Sequence, residues 1–556
     1  KNQADGFRKN LFLNRTDTNK KDEFTFRSKL FYSPSNSLSF KLTYMMVDIK
    51  NGYDVWATDN NGFNTYTDYI GKDYQNVNAF SLKTIYRLTK SIKLNSITSL
   101  SQNNIIYNYD GDWGNNEFYT NNYLWSDTSS AYDYNNPSYF PTSCYSNDDI
   151  FIDEYITQND CETLNGENKF YNGYYDYSFK DETTRKRKNI SQEFIIITTN
   201  TVSGLYISQT NEDDLRNGFL MGGYVDNLDS YFKLLNISAY TSYKWNLKKN
   251  LSFLTRLRIE QNQVYSDIVT TSWGDKSGDF NKDITSFHWG GKLGLKAALN
   301  DFTDLAFSIS KGYKTNGVNQ SINIGNPSYP LPDSLRSYKG EDAYNLEISY
   351  SYKDPTKWVS LNSFYLNRIN PQVRLSYQLD PTNPTSFDFY TINALEGYVY
   401  GFEGQLKIMI SDNIYFYDSF AILKSHISKY EFLGNTIGNR TQAHAPEFSA
   451  SGGLEYISST GMFIRCDHSI MLDFYHEDQY DSKTKPYQIL NTSFGWKKNA
   501  LEVSLWIKNL LNEKYVTRGM NFALEPTPNE SPYFFSKTYL SYGDPRHIGA
   551  TLTYNF

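Results

Sequence analysis

Apolar and polar residues take turns singly along most of this chain, a spacing that predicts β-strands with one face in an apolar medium and the other in water. Leu38, Phe40, Leu42, Tyr44 and Met46 alternate with Ser39, Lys41, Thr43 and Met45, and Leu501, Val503, Leu505 and Ile507 with Glu502, Ser504, Trp506 and Lys508. The same holds for Tyr344, Leu346, Ile348 and Tyr350, and for Phe448, Ala450, Gly452, Leu454 and Tyr456. Nine short turns punctuate the pattern, near residues 34–36, 89–91, 200–203, 245–250, 299–301, 353–356, 411–413, 458–461 and 497–499. Between them lie long polar segments at 49–76, 105–186, 261–283, 314–340, 428–445 and 511–542. Nine turns join eighteen strands, the first at 22–33, and a last strand at 544–556 makes nineteen. Short turns at one end and long loops at the other are the pattern of a membrane barrel rather than of a soluble sandwich.

Composition sharpens that reading. Of 556 residues 49 are Tyr and 36 Phe, yet mean hydropathy is negative. No stretch approaches the roughly 18 apolar residues of a spanning helix. Barrel strands escape that test because only every second residue is apolar, and aromatic girdles at the two interfaces account for the tyrosines. The net charge of −7 argues against a nucleic-acid partner. The only basic run, Arg185 to Lys188, reads as a solvated strand end or a segment touching lipid headgroups. Cys144 and Cys161 share one long polar segment and are a candidate loop disulfide, whereas Cys466 shares the parity of Met462, Ile464 and Ile470 and reads as a small lipid-facing residue. The six His are scattered without a ligand spacing, and the acidic group Asp148, Asp149, Asp153 and Glu154 lacks a calcium-loop pattern. Neither a metal site, a cofactor nor an enzyme is expected. No signal peptide opens the chain, which suggests a mature protein or a fragment.

The last sixty residues carry the most specific signal. LEVSLWIKNLLNEKY at 501–515, Gly543-Asp544-Pro545-Arg546 and the terminal GATLTYNF resemble the C-terminal signature of TonB-dependent outer-membrane receptors. In that signature an N-L-x-(D/N)-x-x-Y segment ends the penultimate strand and a G-x-P-R segment opens the last. DGFRKN at Asp5, NGYDVW at Asn51, GDW at Gly111, SQEF at Ser191 and KGYKTNGVN at Lys311 extend the resemblance over nearly the whole chain. In the last of these, Asn316 and Val318 replace a glycine and an aromatic of the common pattern.

The resemblance implies an all-β fold: a large antiparallel transmembrane β-barrel in the outer membrane of a Gram-negative cell, with long extracellular loops and short periplasmic turns. Residues 22–556 would supply about 19 of an expected 22 strands, including the long loop 105–186. Residues 1–21 would be the end of an extracellular loop or of a preceding strand near 6–12. Nothing here resembles the N-terminal plug domain of such receptors, and a fragment is the favoured explanation.

The implied function is active uptake of a scarce nutrient, foremost an iron-siderophore complex, driven by the TonB-ExbB-ExbD complex through a plug. Vitamin B12 or carbohydrate import, a passive porin and a surface-binding barrel are the competing readings. Candidate ligand-stacking aromatics are Tyr107, Tyr109, Trp113, Tyr171, Tyr174, Tyr175, Tyr313 and Tyr329, since tyrosine joins a rigid apolar face to a hydrogen-bonding tip. Candidate residues facing the lumen and plug are Arg256, Arg258, Glu260, Glu347, Glu455, Glu502 and Lys508; polar lining is also what any wide barrel requires.

Overall fold

The computed structural model describes residues 1–115, 117–118, 143–145, 151–154, 169–171, 179–220, 223–224, 227–272, 275–320, 335–378, 387–525 and 536–555. One antiparallel sheet of 21 strands dominates them, and two of these strands, Asn2–Ala4 and Gly223–Tyr224, are short, which leaves nineteen that form a wall. In chain order these are β1 (Lys21–Tyr32), β2 (Leu38–Tyr53), β3 (Gly71–Arg87), β4 (Lys93–Asp110), β5 (Phe179–Ile197), β6 (Thr201–Leu220) and β7 (Asn227–Lys248). They continue with β8 (Leu251–Ser272), β9 (Asp275–Ala298), β10 (Thr303–Lys314), β11 (Glu341–Lys353), β12 (Lys357–Ile369) and β13 (Glu396–Ser411). The last are β14 (Ile414–Ile427), β15 (Phe448–Ile457), β16 (Met462–Met471), β17 (Tyr487–Lys498), β18 (Leu501–Lys508) and β19 (His547–Tyr554). Each pairs with its neighbour in sequence, a meander without crossovers.

The pleat sorts the side chains as the alternation requires. Phe194, Leu205, Leu293, Phe307, Ile348, Leu454 and Leu505 all stand exposed on one face, a contiguous apolar band that only a non-aqueous surrounding tolerates. Exposed aromatics edge the band. Tyr32, Tyr86, Trp245, Tyr456, Trp496 and Tyr554 lie beside short turns, and Tyr231, Trp289, Tyr344, Tyr365 and Tyr398 toward the opposite end. All nine short turns join consecutive wall strands where the alternation breaks, and the one at Asn499-Ala500 uses an asparagine at φ 55°, which suits a two-residue hairpin. Cys466 is free and exposed on the apolar face, 3.6 Å from Thr492.

The long connections differ from expectation in one consistent way: several strands run past the predicted boundary. The polar segment 261–283 is not a loop but the top of the β8–β9 hairpin, paired to Ser272↔Asp275. Likewise β4 reaches Asp110 and β5 starts at Phe179 inside the predicted loop 105–186. Above the apolar band the outer face of a strand no longer meets lipid, so the alternation fades while the backbone ladder continues. The preceding strand end expected near 6–12 lies instead at Asn2–Ala4, paired with Lys21–Glu23 of β1. The final strand spans His547–Tyr554.

Two sets of contacts show how the wall curls. The loop after β2 meets the connection between β18 and β19, where Asn60 donates to the Thr538 carbonyl at 2.9 Å and Lys514 to the Asn61 carbonyl at 2.6 Å. Arg8 reaches the Tyr542 carbonyl at 2.9 Å. The loops above the first and last strands therefore meet. The C-terminal signature closes this corner: Asn509, at φ 48°, donates to the carbonyls of Glu513 (2.9 Å) and Asp544 (3.0 Å), and Asn512 accepts the Arg546 N–H at 2.9 Å. Gly543 lies under the Tyr515 ring, where a Cβ would come within 2.1 Å of it.

Candidate functional site

The inner face of the wall is lined with opposite charges placed side by side. On β8, Arg258 bonds Glu260 at 2.9 Å, and Glu260 also accepts from Asn262 at 3.0 Å. Across β9 and β11, Lys292 meets Glu347 at 3.2 Å, and Ser308 of β10 donates to the same carboxylate at 3.1 Å. Tyr313 lies over Gly290, stacks on His288 with centroids 5.1 Å apart, and interacts with Arg258 and Glu260. Gly290 makes this possible, because a Cβ there would sit 3.3 Å from the tyrosine ring. Of these residues Arg258, Gly290, Lys292 and Tyr313, together with Glu193, Tyr240 and Arg256, line a cavity of about 800 Å³. Further along the wall the pairs Arg185–Asp214, Arg216–Asp181, Arg465–Asp467 and Lys497–Glu502 repeat the arrangement.

At the top of the wall, above the apolar band, three tyrosines converge on the inner side of β2 and β4. The Tyr53 and Tyr107 rings are 5.0 Å apart, and Tyr107 and Tyr109 are 5.5 Å apart. Tyr109 donates to Asp181 at 3.2 Å, and Arg216 holds the same carboxylate at 2.7 Å. Burial pushes the Tyr107 and Tyr109 phenols well above their ordinary range, so both remain neutral hydrogen-bonding groups.

The loops over this mouth fold into a cap with two apolar cores of its own. Trp56, Trp113, Phe522, Leu524 and Tyr539 form one, with Tyr53 and Phe387 packed against it. The other joins the hairpin Gln372–Gln378/Phe387–Asn393 to the hairpin Tyr430–Phe432/Asn435–Ile437 through Val373, Leu375, Tyr390, Ile392, Tyr430 and Phe432. Polar clasps knit them together. Glu525 accepts from Tyr539 (2.8 Å) and Lys537 (2.9 Å), and Arg368 of β12 holds the buried Glu341 at 2.6 Å. Asp110 accepts the backbone N–H groups of Asp68, Tyr69, Asp112 and Trp113, tying two loops to the top of β4. Burial, with Asp112 and Asp68 close by, pushes its carboxyl well up. Burial likewise raises Glu477, which accepts the Asn521 N–H at 2.9 Å, and Asp478, which accepts the Ala443 N–H at 2.7 Å. His476 is 2% exposed, lies against Gly519 and Phe474, and is held below its ordinary pKa by burial and by His444.

The candidate aromatics thus separate. Tyr107 and Tyr109 sit on a strand rather than in a loop and share the mouth with Tyr53, while Tyr313 belongs to the lumen cavity. Trp113 is 4% exposed and packs inside the cap. Tyr171, Tyr174, Tyr175 and Tyr329 lie outside the residues whose side chains are described, as do Cys144, Cys161 and the acidic group at 148–154. The pleat puts Arg256, Arg258, Glu260, Glu347, Glu455, Glu502 and Lys508 on the face opposite the apolar band. Asp110, His476, Glu477, Glu525 and Tyr539 were not anticipated, because residues from distant loops meet there without any local sequence pattern.

A family model described as "TonB dependent receptor-like, beta-barrel" matches residues 47–510. Among solved structures, the ferric yersiniabactin uptake receptor FyuA of Yersinia pestis superimposes with a TM-score of 0.75 at 14% identity, covering 100% of this chain and 74% of that one. The siderophore receptor PiuA of Acinetobacter baumannii gives 0.65 at 11% identity over 96% of this chain and 74% of that one. The copper transporter OprC gives 0.66 at 11% identity over 100% and 77%. At such identities the likeness is one of fold.

Proposed function

Because the chain belongs to the TonB-dependent receptor β-barrel family, whose wall stands in the Gram-negative outer membrane, we propose that it supplies the barrel for active import of a ferric siderophore. The observation that supports this cargo is the tyrosine trio Tyr53, Tyr107 and Tyr109 on the inner side of the mouth, beside Arg216. Clustered, neutral phenols offer flat faces on which the planar chelating groups of an iron complex can stack, in a mouth where Arg216 is held by Asp181. Below them, the inner wall presents charges already paired with one another, a polar lining over which a hydrophilic complex passes without being trapped. In this reading the cap admits the ligand, a plug domain occupies the lumen, and TonB supplies the force that moves the plug.

Uptake in a strain deleted for the gene tests this. Cells complemented with the wild-type gene should accumulate radioactive iron from at least one of a panel of purified siderophores. Accumulation should cease when TonB is removed and fall about tenfold or more in a Tyr107→Ala/Tyr109→Ala variant, the loss of two stacking contacts of about 1 kcal/mol each. Uptake that persists without TonB would make the barrel a passive pore. Accumulation of labelled vitamin B12, a carbohydrate or copper in place of iron would assign a different cargo.

A further inference from the structure

The basic run at 185–188 is divided by the pleat of β5. Arg185 and Arg187 point inward, the first bonded to Asp214 at 2.7 Å and the second to Glu212. Lys186 and Lys188 point outward, are exposed, and have no ion-pair partner among the described residues. Their position relative to the apolar band is fixed by register. Phe80, Leu100 and Ile190 lie side by side on β3, β4 and β5, each about half exposed, and end the continuous band on these strands; apolar residues return three outward positions higher, at Tyr74, Ile106 and, on β6, Leu215. One outward position higher the row reads Asn78, Gln102, Lys188 and, on β6, Asn211; above it come Asn76, Asn104, Lys186 and Asp213. The change from hydrocarbon to amide and ammonium occurs within a single pleat step, at the end of the wall that carries the long loops. A groove of about 340 Å³ spans this boundary, with Phe80, Leu100 and Ile190 below and Gln102, Lys188 and Asn211 above.

We propose that this groove binds a phosphate-bearing lipid of the outer leaflet, its acyl chains against the three apolar side chains and its phosphate against Lys188 and Lys186. The groove provides the Lys188 ammonium and amide N–H donors for phosphate oxygens where an amphiphile has its headgroup, with Lys186 one outward position higher opposite Asp213, and apolar surface where it has its chains. A chain of net charge −7 has no general attraction for anions, so binding here depends on the local pair of lysines together with the chain contacts. That combination selects a lipid over free phosphate, which would gain only the upper half of the site.

The test titrates fluorescent diphosphoryl lipid A onto the detergent-solubilised full chain. Saturable binding is expected, weakened about tenfold in Lys186→Gln/Lys188→Gln. It should be unchanged in Lys188→Arg and in Lys248→Gln/Lys249→Gln at the short-turn end, and insensitive to millimolar inorganic phosphate. Both outward lysines are exposed and form no ion pair among the described residues, and retention of heat-modifiable gel mobility confirms that each variant is folded. The proposal is overturned if the double glutamine variant binds like wild type, if inorganic phosphate displaces the lipid, or if phosphatidylcholine binds equally well.

Discussion

Reversing the medium at one position of β11 tests the assignment of the two faces most directly. Ile348 is 51% exposed on the apolar face, flanked by Phe307 of β10 and Ser363 of β12. Ser349, one residue on, faces inward and donates to Asn362 at 2.8 Å. Ile348→Arg places a guanidinium between the aromatic edges marked by Tyr344 and Tyr350, where an arginine on the lipid face of a barrel costs about 2–4 kcal/mol. Ser349→Arg meets a wet, charge-lined lumen and forfeits one hydrogen bond, about 1 kcal/mol. The first change therefore shifts the folding equilibrium about 30- to 900-fold and the second about fivefold. Urea titrations of protein folded in phosphatidylcholine vesicles, followed by tryptophan fluorescence and gel mobility, resolve the two. Equal destabilisation, or the reverse order, would refute the assignment of faces and with it the reading of every alternating segment.

Other consequences concern the cap and the C-terminal corner. Trp113→Ala removes the ring shared by Trp56, Phe522 and Tyr539 and should cost about 3–5 kcal/mol of cap stability, seen as faster proteolysis of the loops while the wall stays folded; unchanged cleavage would contradict a packed cap. Asn509→Ala strips two carbonyls of their donor and should slow folding into vesicles and lower stability by about 1–3 kcal/mol, whereas a wild-type urea midpoint would make the signature asparagine dispensable for folding. His476 has a lowered folded-state pKa, so its contribution is complete above the ordinary value of 6.5 and is lost as pH falls through the lowered one. Cap protection measured by hydrogen exchange should weaken on that side of 6.5, and His476→Phe should blunt the loss; an identical pH profile in the variant would exclude this histidine.

The membrane-crossing part of the fold was readable from sequence because the medium imposes its own period. Where lipid wets one face, each second residue must be apolar, and Leu38 to Met46 or Leu501 to Ile507 announce their strands with no knowledge of their neighbours. The nine turns were legible for the complementary reason that a short hairpin leaves no room between two alternating runs. Once β8 and β9 rise above the apolar band the rule lapses. Gln261, Gln263 and Asp267 face outward on a paired strand although their polarity resembles that of a loop, and only the ladder reveals them.

The cap was illegible for a different reason, and the difference bears on where specificity resides. Its apolar cores and hydrogen bonds join residues far apart in the chain: Trp56 with Phe522, Thr58 with Lys537, Gln378 with Ala523. No local period accompanies such contacts, and the buried carboxylates Asp110, Glu477 and Asp478 accept backbone N–H groups from other loops. The wall must satisfy a membrane common to all such barrels. The cap has no such obligation, so its sequence can follow the shape and charge of whatever enters. Tyr53, Tyr107 and Tyr109 stand where the two regimes meet, held in register by the ladder below and packed by the cap above. A mouth built this way keeps its geometry when loops elsewhere diverge, which makes it the place where one change in side chain should alter which ligand is captured without unfolding the barrel.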